Sequence, residues 1–217
     1  MKIGILGTGI VGETLGTKLV QLEQSVTMGS RTPNNEKALA WVEKTGSNAF
    51  AGTFADAAKF GEILFNCTSG AVSLEALKLA GAENMHGKIL VDVANPLDFS
   101  KGMPPTLTVS NNDSLGEQIQ RAYPEVKVVK ALNTLTSLIM VNPQSLAGGD
   151  HDLFICGNDA EAKKTVTAIL VSFGWKSEHI YDLGDITNAR GTESLLPLWI
   201  RLMGKFQSPM FQWNVVR

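Results

Sequence analysis

The chain has 217 residues, of which 44% are hydrophobic and 18% are charged, and its formal net charge is -2. This composition is typical of a globular protein with a sizeable core, and because the lysines and arginines are spread singly, no basic surface would recruit nucleic acid. The 2 cysteines and 3 histidines are too scattered for a disulfide framework or a metal site, and no run of about 18 apolar residues would cross a membrane, so we expect a cytoplasmic protein.

The N-terminal part of the chain alternates short apolar strands with amphipathic helices. We predict strands at residues 2–7, 25–29, 48–51, 62–66, 88–93 and 126–131. We predict helices at residues 11–22, 36–45, 53–59, 73–80 and 114–122. In the first helix, apolar residues recur at helical spacing from Val11 to Leu22, which places them on one face. This alternation predicts an α/β protein with a doubly wound parallel sheet of the Rossmann type.

The sequence changes in character towards its C-terminus. Residues 95–112 are rich in proline and polar side chains, so we predict a long loop there. A strand, a helix, a strand and a terminal helix are predicted next, at residues 152–156, 159–173, 175–181 and 188–204. We therefore predict two domains, a Rossmann domain over residues 1–145 and a smaller C-terminal α/β domain over residues 146–217.

A glycine-rich turn joins the first predicted strand to the first predicted helix. It reads Gly7-Thr8-Gly9-Ile10-Val11-Gly12 and matches GxGxxG in the strand, turn and helix context that gives this pattern its meaning. Gly7 permits a tight turn, Gly9 lets the backbone approach a pyrophosphate, and Gly12 lets the helix pack closely on the strand. The free N–H groups at the start of the helix would bind phosphate. The turn therefore predicts a dinucleotide site.

The end of the second predicted strand indicates which dinucleotide binds. NAD-binding domains carry an acidic residue about 20 residues beyond the glycine-rich turn, where this chain has Ser30, Arg31 and Thr32. A carboxylate there would repel a 2'-phosphate, whereas a guanidinium and two hydroxyl groups donate hydrogen bonds to it. The sequence therefore predicts NADP(H) as the cofactor.

Three further loops should lie at the carboxyl ends of the predicted strands, where ligands of such sheets collect. They carry small polar groups suited to a nicotinamide carboxamide or a flat polar ring: Cys67, Thr68 and Ser69, then Asn95 and Pro96, then Asn133. Lys130 could act as a general acid or could extend from the sheet edge into solvent. No acid and base pair is evident, which suits hydride transfer to a flavin-like ring, because solvent can supply its proton.

Several segments together resemble a known family of enzymes. They are MKIGILGTGIVGETLGTKL at the start, VTMGSRT after it, the VDVANP loop and the VVKALNT strand end. Over residues 1–135 the chain resembles the NADPH-dependent oxidoreductases of the coenzyme F-420-dependent type and the reductase domain of the six-transmembrane metalloreductases. The resemblance implies hydride transfer between NADP(H) and a deazaflavin, FMN or FAD. It also implies that residues 8–11 hold the pyrophosphate, that residues 30–32 hold the 2'-phosphate, and that Asn95 and Asn133 lie near the nicotinamide.

Two other functions remain open at this point. The chain could reduce a small imine or ketone, although the related reductases that do so have a longer, mainly helical second domain. It could also be a dinucleotide sensor without enzymatic activity. The aromatic C-terminal stretch from Leu195 to Trp213 either packs in the core of the second domain or forms a homodimer interface, which the family resemblance favours.

Overall fold

Strands and helices alternate along the computed structural model, which describes residues 1–217. The strands are β1 (Lys2–Leu6), β2 (Ser25–Ser30), β3 (Ala49–Thr53), β4 (Ile63–Asn66), β5 (Ile89–Asp92), β6 (Leu97–Asp98), β7 (Thr106–Leu107), β8 (Lys127–Lys130), β9 (Leu153–Gly157) and β10 (Ile180–Asp182). The α-helices are α1 (Ile10–Gln21), α2 (Glu36–Thr45), α3 (Phe54–Phe60), α4 (Ser73–Ala80), α5 (Ala82–Met85), α6 (Leu115–Ala122), α7 (Ser137–Val141), α8 (Ala160–Ser172), α9 (Ala189–Ser194) and α10 (Leu196–Phe206). None of these helices combines the length and the apolar character needed to span a bilayer.

One sheet of 8 strands organises the molecule, in the order β10-β9-β8-β5-β4-β1-β2-β3. Neighbouring strands are parallel except β8 and β9, which are antiparallel. The strand order reverses direction between β1 and β4, and the loops that follow these strands therefore diverge and leave a crevice at their carboxyl ends. This confirms the predicted Rossmann-type α/β fold.

Both faces of this sheet are buried. Side chains alternate between the faces along a strand, so Ile3 and Ile5 join one apolar cluster and Leu6 joins the other. The first cluster holds 27 buried residues and includes side chains of α1, α2, α7 and α8, whereas the second holds 18 and includes side chains of α3, α4 and α6. Burial on both faces is the reason that β1 and β4 are continuous apolar runs rather than alternating ones.

The C-terminal part of the chain extends the same sheet. β9 pairs with β8, and Leu153, Ile155, Phe173 and Trp175 belong to the same apolar cluster as β1. The boundary predicted at residue 145 falls just ahead of β9. The division of the chain into two domains stays a prediction.

Several elements differ from those predicted. The loop at residues 95–112 contains a short antiparallel ribbon in which β6 pairs with β7. The strand predicted over residues 175–181 is shortened to β10, because Ser177–His179 form a 3-10 turn ahead of it. The helix predicted over residues 188–204 is divided into α9 and α10 close to Pro197, which cannot donate a backbone hydrogen bond. Helices α5 and α7 were not predicted, because such short segments do not display a helical period.

Candidate functional site

The glycine-rich turn lies at the carboxyl end of β1, and its glycines have different roles. Gly7 has φ +123°, and a Cβ there would lie 2.7 Å from the carbonyl oxygen of Cys67. A Cβ on Gly12 would overlap the carbonyl oxygen of Gly7, so α1 packs against the turn only because this side chain is absent. Gly9 faces open space, with no atom within 4 Å of a Cβ built there. Two of the glycines therefore shape the turn, and the third leaves room for a ligand.

The N-terminus of α1 opens onto the same space. The helix begins at Ile10, after Gly9, and no side chain caps it. Its first N–H groups have no acceptor within the helix, and the helix dipole places partial positive charge there. The Ile10 side chain is 74% exposed, so the protein does not cover this end. The arrangement can hold a phosphate group with backbone atoms alone.

A cleft of about 500 Å³ continues from this turn to the end of β2. It is lined by Gly7, Thr8, Ser30, Arg31, Thr32, Asn35, Phe54, Thr68, Val72, Glu75, Ala76 and Leu79. The Ser30 hydroxyl donates to the carbonyl oxygen of Thr32 at 2.5 Å, which fixes the turn after β2. Arg31 is exposed and makes no hydrogen bond or ion pair with the protein, so its guanidinium is free to bind an anion in the cleft.

A second hollow, of about 170 Å³, lies at the carboxyl ends of β4 and β5. Its walls are Val11, Cys67, Thr68, Ser69, Gly70, Val93, Ala94, Asn95, Leu97 and Phe99. The structure therefore brings the candidate residues of these two loops together, apart from Pro96. The Pro96 carbonyl oxygen accepts a hydrogen bond from the Thr108 N–H at 2.8 Å, which ties this loop to the segment after β7.

Asn133 does not line this hollow but is hydrogen-bonded to Asn95, which does. The Asn95 amide donates to the Asn133 carbonyl oxygen at 2.8 Å, and the Asn133 amide donates to Asn95 Oδ1 at 2.9 Å. Asn133 is buried and its Oδ1 has no hydrogen-bond partner in the protein. The loop after β8 is thus locked to the loop after β5, with one acceptor left unpaired.

A row of polar side chains crosses the interior of the sheet beneath this hollow. Asn66, Asp92 and Lys130 are neighbours in register on β4, β5 and β8, and each is at most 1% exposed. The Asn66 amide donates to Asp92 Oδ1, and Lys130 Nζ donates to Asp92 Oδ2, both at 2.8 Å. Lys130 therefore does not extend from a sheet edge: that interpretation was wrong, because β9 covers the outer side of β8.

The polar row continues to α9 and α6. Lys130 Nζ lies 2.8 Å from Glu193 Oε1. Glu193 also accepts hydrogen bonds from the N–H groups of Leu115 and Gly116 at 2.9 and 3.0 Å. Burial by itself would lower the pKa of Lys130, but the two carboxylates outweigh it, so the pKa is raised and the ammonium stays charged. Lys130 is a fixed cation, not a general acid at neutral pH.

Cys67 is the one titratable residue among the walls of the hollow. Burial, and secondly the negative charge of Asp92, raise the pKa of its thiol. The thiol therefore stays protonated and unreactive at neutral pH. No histidine lines the hollow or the cleft, because His86 precedes β5 at the opposite end of the sheet and His151 hydrogen-bonds the Pro143 carbonyl oxygen.

Sequence reasoning missed the residues that support the site from beneath. Asp92 is the one charged residue of β5, and Lys130 ends β8, so opposite charges on two buried strands were a signal that the strands pair. Glu193 gave no such signal, because it follows Lys130 by more than 60 residues along a polar stretch. Asn35 and Glu75, which line the cleft, also resemble ordinary surface residues in sequence.

Comparisons with known proteins show the family to which the chain belongs. A family model described as coenzyme F420-dependent NADP oxidoreductase matches residues 2–96. The chain is 30% identical over 217 residues to the F420-dependent NADP reductase of Methanocaldococcus jannaschii, a match that covers 96% of this chain and 95% of that protein. It is also 30% identical over 203 residues to the metalloreductase STEAP3 of Rattus norvegicus, a match that covers 91% of this chain but spans only 38% of the length of that relative.

Among solved structures, a crystal structure from Arthrobacter sp. FB24 is similar over its whole length. That protein, provisionally named an F420-dependent NADP reductase, is 51% identical with a TM-score of 0.95, and the match covers 100% of both chains. The chain therefore belongs to the coenzyme F420-dependent NADP oxidoreductase family and is an NADP-dependent oxidoreductase.

Proposed function

We propose that this oxidoreductase transfers a hydride between NADP(H) and a deazaflavin or flavin ring, FMN or FAD among them. NADPH, when bound, supplies the hydride to the acceptor ring. The protein holds both molecules at the carboxyl edge of the sheet, where Cys67 is the one titratable wall residue and its raised pKa keeps the thiol protonated. The observation that carries the proposal is that no carboxyl, histidine or lysine side chain lines the hollow at the ends of β4 and β5.

The proposed orientation of the dinucleotide follows from the strand order. The 2'-phosphate lies at Ser30, Arg31 and Thr32 after β2, and the pyrophosphate lies on residues 8–11 between Gly7 and Gly12. The nicotinamide then lies beyond β4 and β5, about 14 Å from β2 at three strand spacings. The residues proposed to surround it are Cys67, Thr68, Ser69, Asn95, Pro96 and Asn133.

The chain's residues fit this cofactor. Gly9 leaves open space where the pyrophosphate would approach, and Arg31 has a guanidinium without a protein partner where the 2'-phosphate would lie. At the other end, Asn95 lines the hollow and is held in place by its two hydrogen bonds with Asn133. The phosphate end of the cofactor thus meets open space and an unpaired guanidinium, and the nicotinamide end meets an amide that is already held in place.

The side chains of the hollow bear on the class of acceptor. Reduction of a ketone or imine needs a proton delivered in the same step, usually by a positioned side chain. The Cys67 thiol is a poor proton donor because its pKa is raised. The Lys130 side chain is fully buried within the sheet and cannot reach a substrate in the hollow. A flavin or deazaflavin ring accepts a hydride and takes any proton from solvent. The hollow therefore suits a ring acceptor better than a carbonyl.

Phe99 is the proposed contact for that ring. It lies on the wall of the hollow beside Leu97, and 54% of its surface is exposed. An aromatic side chain placed there can stack on a planar acceptor that covers the hollow. An offset stack contributes about 0.5–1.5 kcal/mol, so Phe99→Ala should raise the acceptor KM roughly two- to twelvefold. Phe50→Ala, which removes an exposed phenylalanine from β3, is the matched control and should leave that KM unchanged.

The experiment that tests the proposal follows the loss of NADPH absorbance with FMN, FAD and a deazaflavin offered separately. Turnover with one of them supports the proposal and identifies the acceptor class. NADPH binding without turnover on any of the three would refute it and would favour a small substrate or a sensor.

The C-terminal segment is proposed to form a homodimer interface. Trp199 stacks on Phe211 with 5.2 Å between ring centroids, while Leu198 and Phe206 on α10 are 48% and 56% exposed. Exposed apolar side chains on one helix are typical of protein interfaces. Sedimentation at micromolar concentration tests this: a monomer would contradict it, and Leu198→Glu should dissociate a dimer.

The cytoplasmic location stays a prediction.

A further inference from the structure

We propose that the buried cluster of Asp92, Lys130 and Glu193 positions the loops that contact the nicotinamide end of the cofactor. This inference rests on the proposed function, because it assumes that this end of the cofactor lies over β4 and β5. It assigns to the cluster a role in binding rather than in stability alone. In this role Lys130 acts through other residues and does not touch the reacting atoms.

The cluster places three charged groups in the protein core, which is unusual because burial of a charge is unfavourable. Two carboxylates and one ammonium are buried, with side-chain exposures of 0% for Asp92, 0% for Lys130 and 2% for Glu193. Replacement of buried ion clusters by apolar side chains of similar size is often neutral or stabilising. A contribution to stability therefore explains the presence of these charges poorly. The hydrogen bonds that they make to the loops after β4 and β5 explain it better.

On the β4 side, the cluster holds Thr68 through Asn66. Asp92 Oδ1 accepts from the Asn66 amide, which turns Asn66 Oδ1 towards the loop after β4. Asn66 Oδ1 then accepts from the Thr68 hydroxyl at 2.7 Å and from the Thr68 N–H at 3.3 Å. Because Thr68 lines both the cleft and the hollow, its position affects the cofactor directly.

On the β5 side, the same two charged residues hold the loop that carries Asn95. Lys130 Nζ donates to the Ala94 carbonyl oxygen, and Asp92 Oδ1 accepts from the Ala94 N–H at 3.3 Å. Asn95 follows directly and is paired with Asn133. One ion cluster therefore fixes the loops after β4, β5 and β8 relative to each other.

The test uses variants that break this link without leaving an unpaired charge. Lys130→Met would bury two carboxylates without their cation and is expected to unfold. Asp92→Asn leaves Lys130 paired with Glu193. Asp92 accepts from the Asn66 amide on Oδ1 and from the Lys130 ammonium on Oδ2, but an asparagine has an oxygen at only one of these two positions and an NH2 group at the other, so one of the two hydrogen bonds is lost. A second variant, Asn66→Ala, removes the link to Thr68 and leaves the ion cluster intact.

Two ligands separate the two ends of the cofactor in the measurement. Adenosine 2',5'-bisphosphate carries only the adenosine end and its phosphates, whereas NADPH also carries the nicotinamide. We expect both variants to bind adenosine 2',5'-bisphosphate within about twofold of the wild type and NADPH about tenfold more weakly, measured by calorimetry. Arg190→Gln is the control, because it breaks a neighbouring ion pair with Glu117. This pair makes no hydrogen bond to the loops after β4, β5 and β8, so the affinities for both ligands should be unchanged.

Each outcome decides the inference. Unchanged NADPH affinity in both variants would overturn it and leave the cluster a purely structural role. Equal weakening of both ligands would also overturn it, because general loosening of the fold affects both ends. Failure of the proposed function has a different signature: the wild-type protein would then bind neither ligand, or would bind NADPH without reducing any acceptor.

Discussion

Arg31→Ala should change which cofactor the protein prefers. Arg31 is exposed beside the cleft and has no partner in the protein, so its removal breaks no internal contact. A hydrogen bond to a charged group contributes about 1.5–3 kcal/mol, and exposure to solvent favours the lower part of this range. A loss of about 1.5–2 kcal/mol corresponds to roughly 10- to 30-fold weaker NADPH binding. NADH lacks the 2'-phosphate, and its affinity should stay within about twofold of the wild-type value.

The assay is a titration of wild type and variant with NADPH and with NADH, at low and at high salt. Because the Debye length falls from about 10 Å at 0.1 M to about 3 Å at 1 M ionic strength, the wild-type preference for NADPH should shrink in high salt. Arg201→Ala removes an exposed arginine from α10 and is the matched control. Equal loss of affinity for both cofactors in Arg31→Ala would refute the assignment of Arg31 to the 2'-phosphate.

Two further predictions separate binding from stability. Gly9→Ala should weaken NADPH binding but leave the melting temperature unchanged, because Gly9 has φ -82° and open space around it. Gly12→Ala should lower the melting temperature, because a Cβ there forces α1 away from the turn. Equal melting temperatures for the two variants would contradict this reasoning. The Arg190 guanidinium holds the pKa of Glu117 below its ordinary value of 4.5, so this pair stabilises the fold above about pH 4.5 and loses its effect as pH falls further. The difference in melting temperature between wild type and Arg190→Gln should therefore shrink on acidification, and a constant difference down to pH 3 would contradict the sign.

The sequence by itself determined the fold class, and it predicted the residues that would bind the phosphate groups of the cofactor. Strand and helix periods differ, so apolar runs and amphipathic stretches indicate the elements along the chain. The glycine-rich turn could be identified because its three glycines lie within 6 residues and their roles are local. Arg31 could be predicted as a contact of the 2'-phosphate because its distance from that turn is set by one helix and one strand.

Only the tertiary structure decided how the rest of the site is built. The pairing of Asn95 with Asn133, and the cluster that joins Asp92 to Glu193, depend on the order of β4, β5 and β8 and on the return of α9 to the sheet. Lys130 has the sequence context of an edge residue, and only the pairing of β9 with β8 places it in the interior of the sheet. Contacts between residues far apart in sequence follow from packing of whole elements, and local propensities do not encode them.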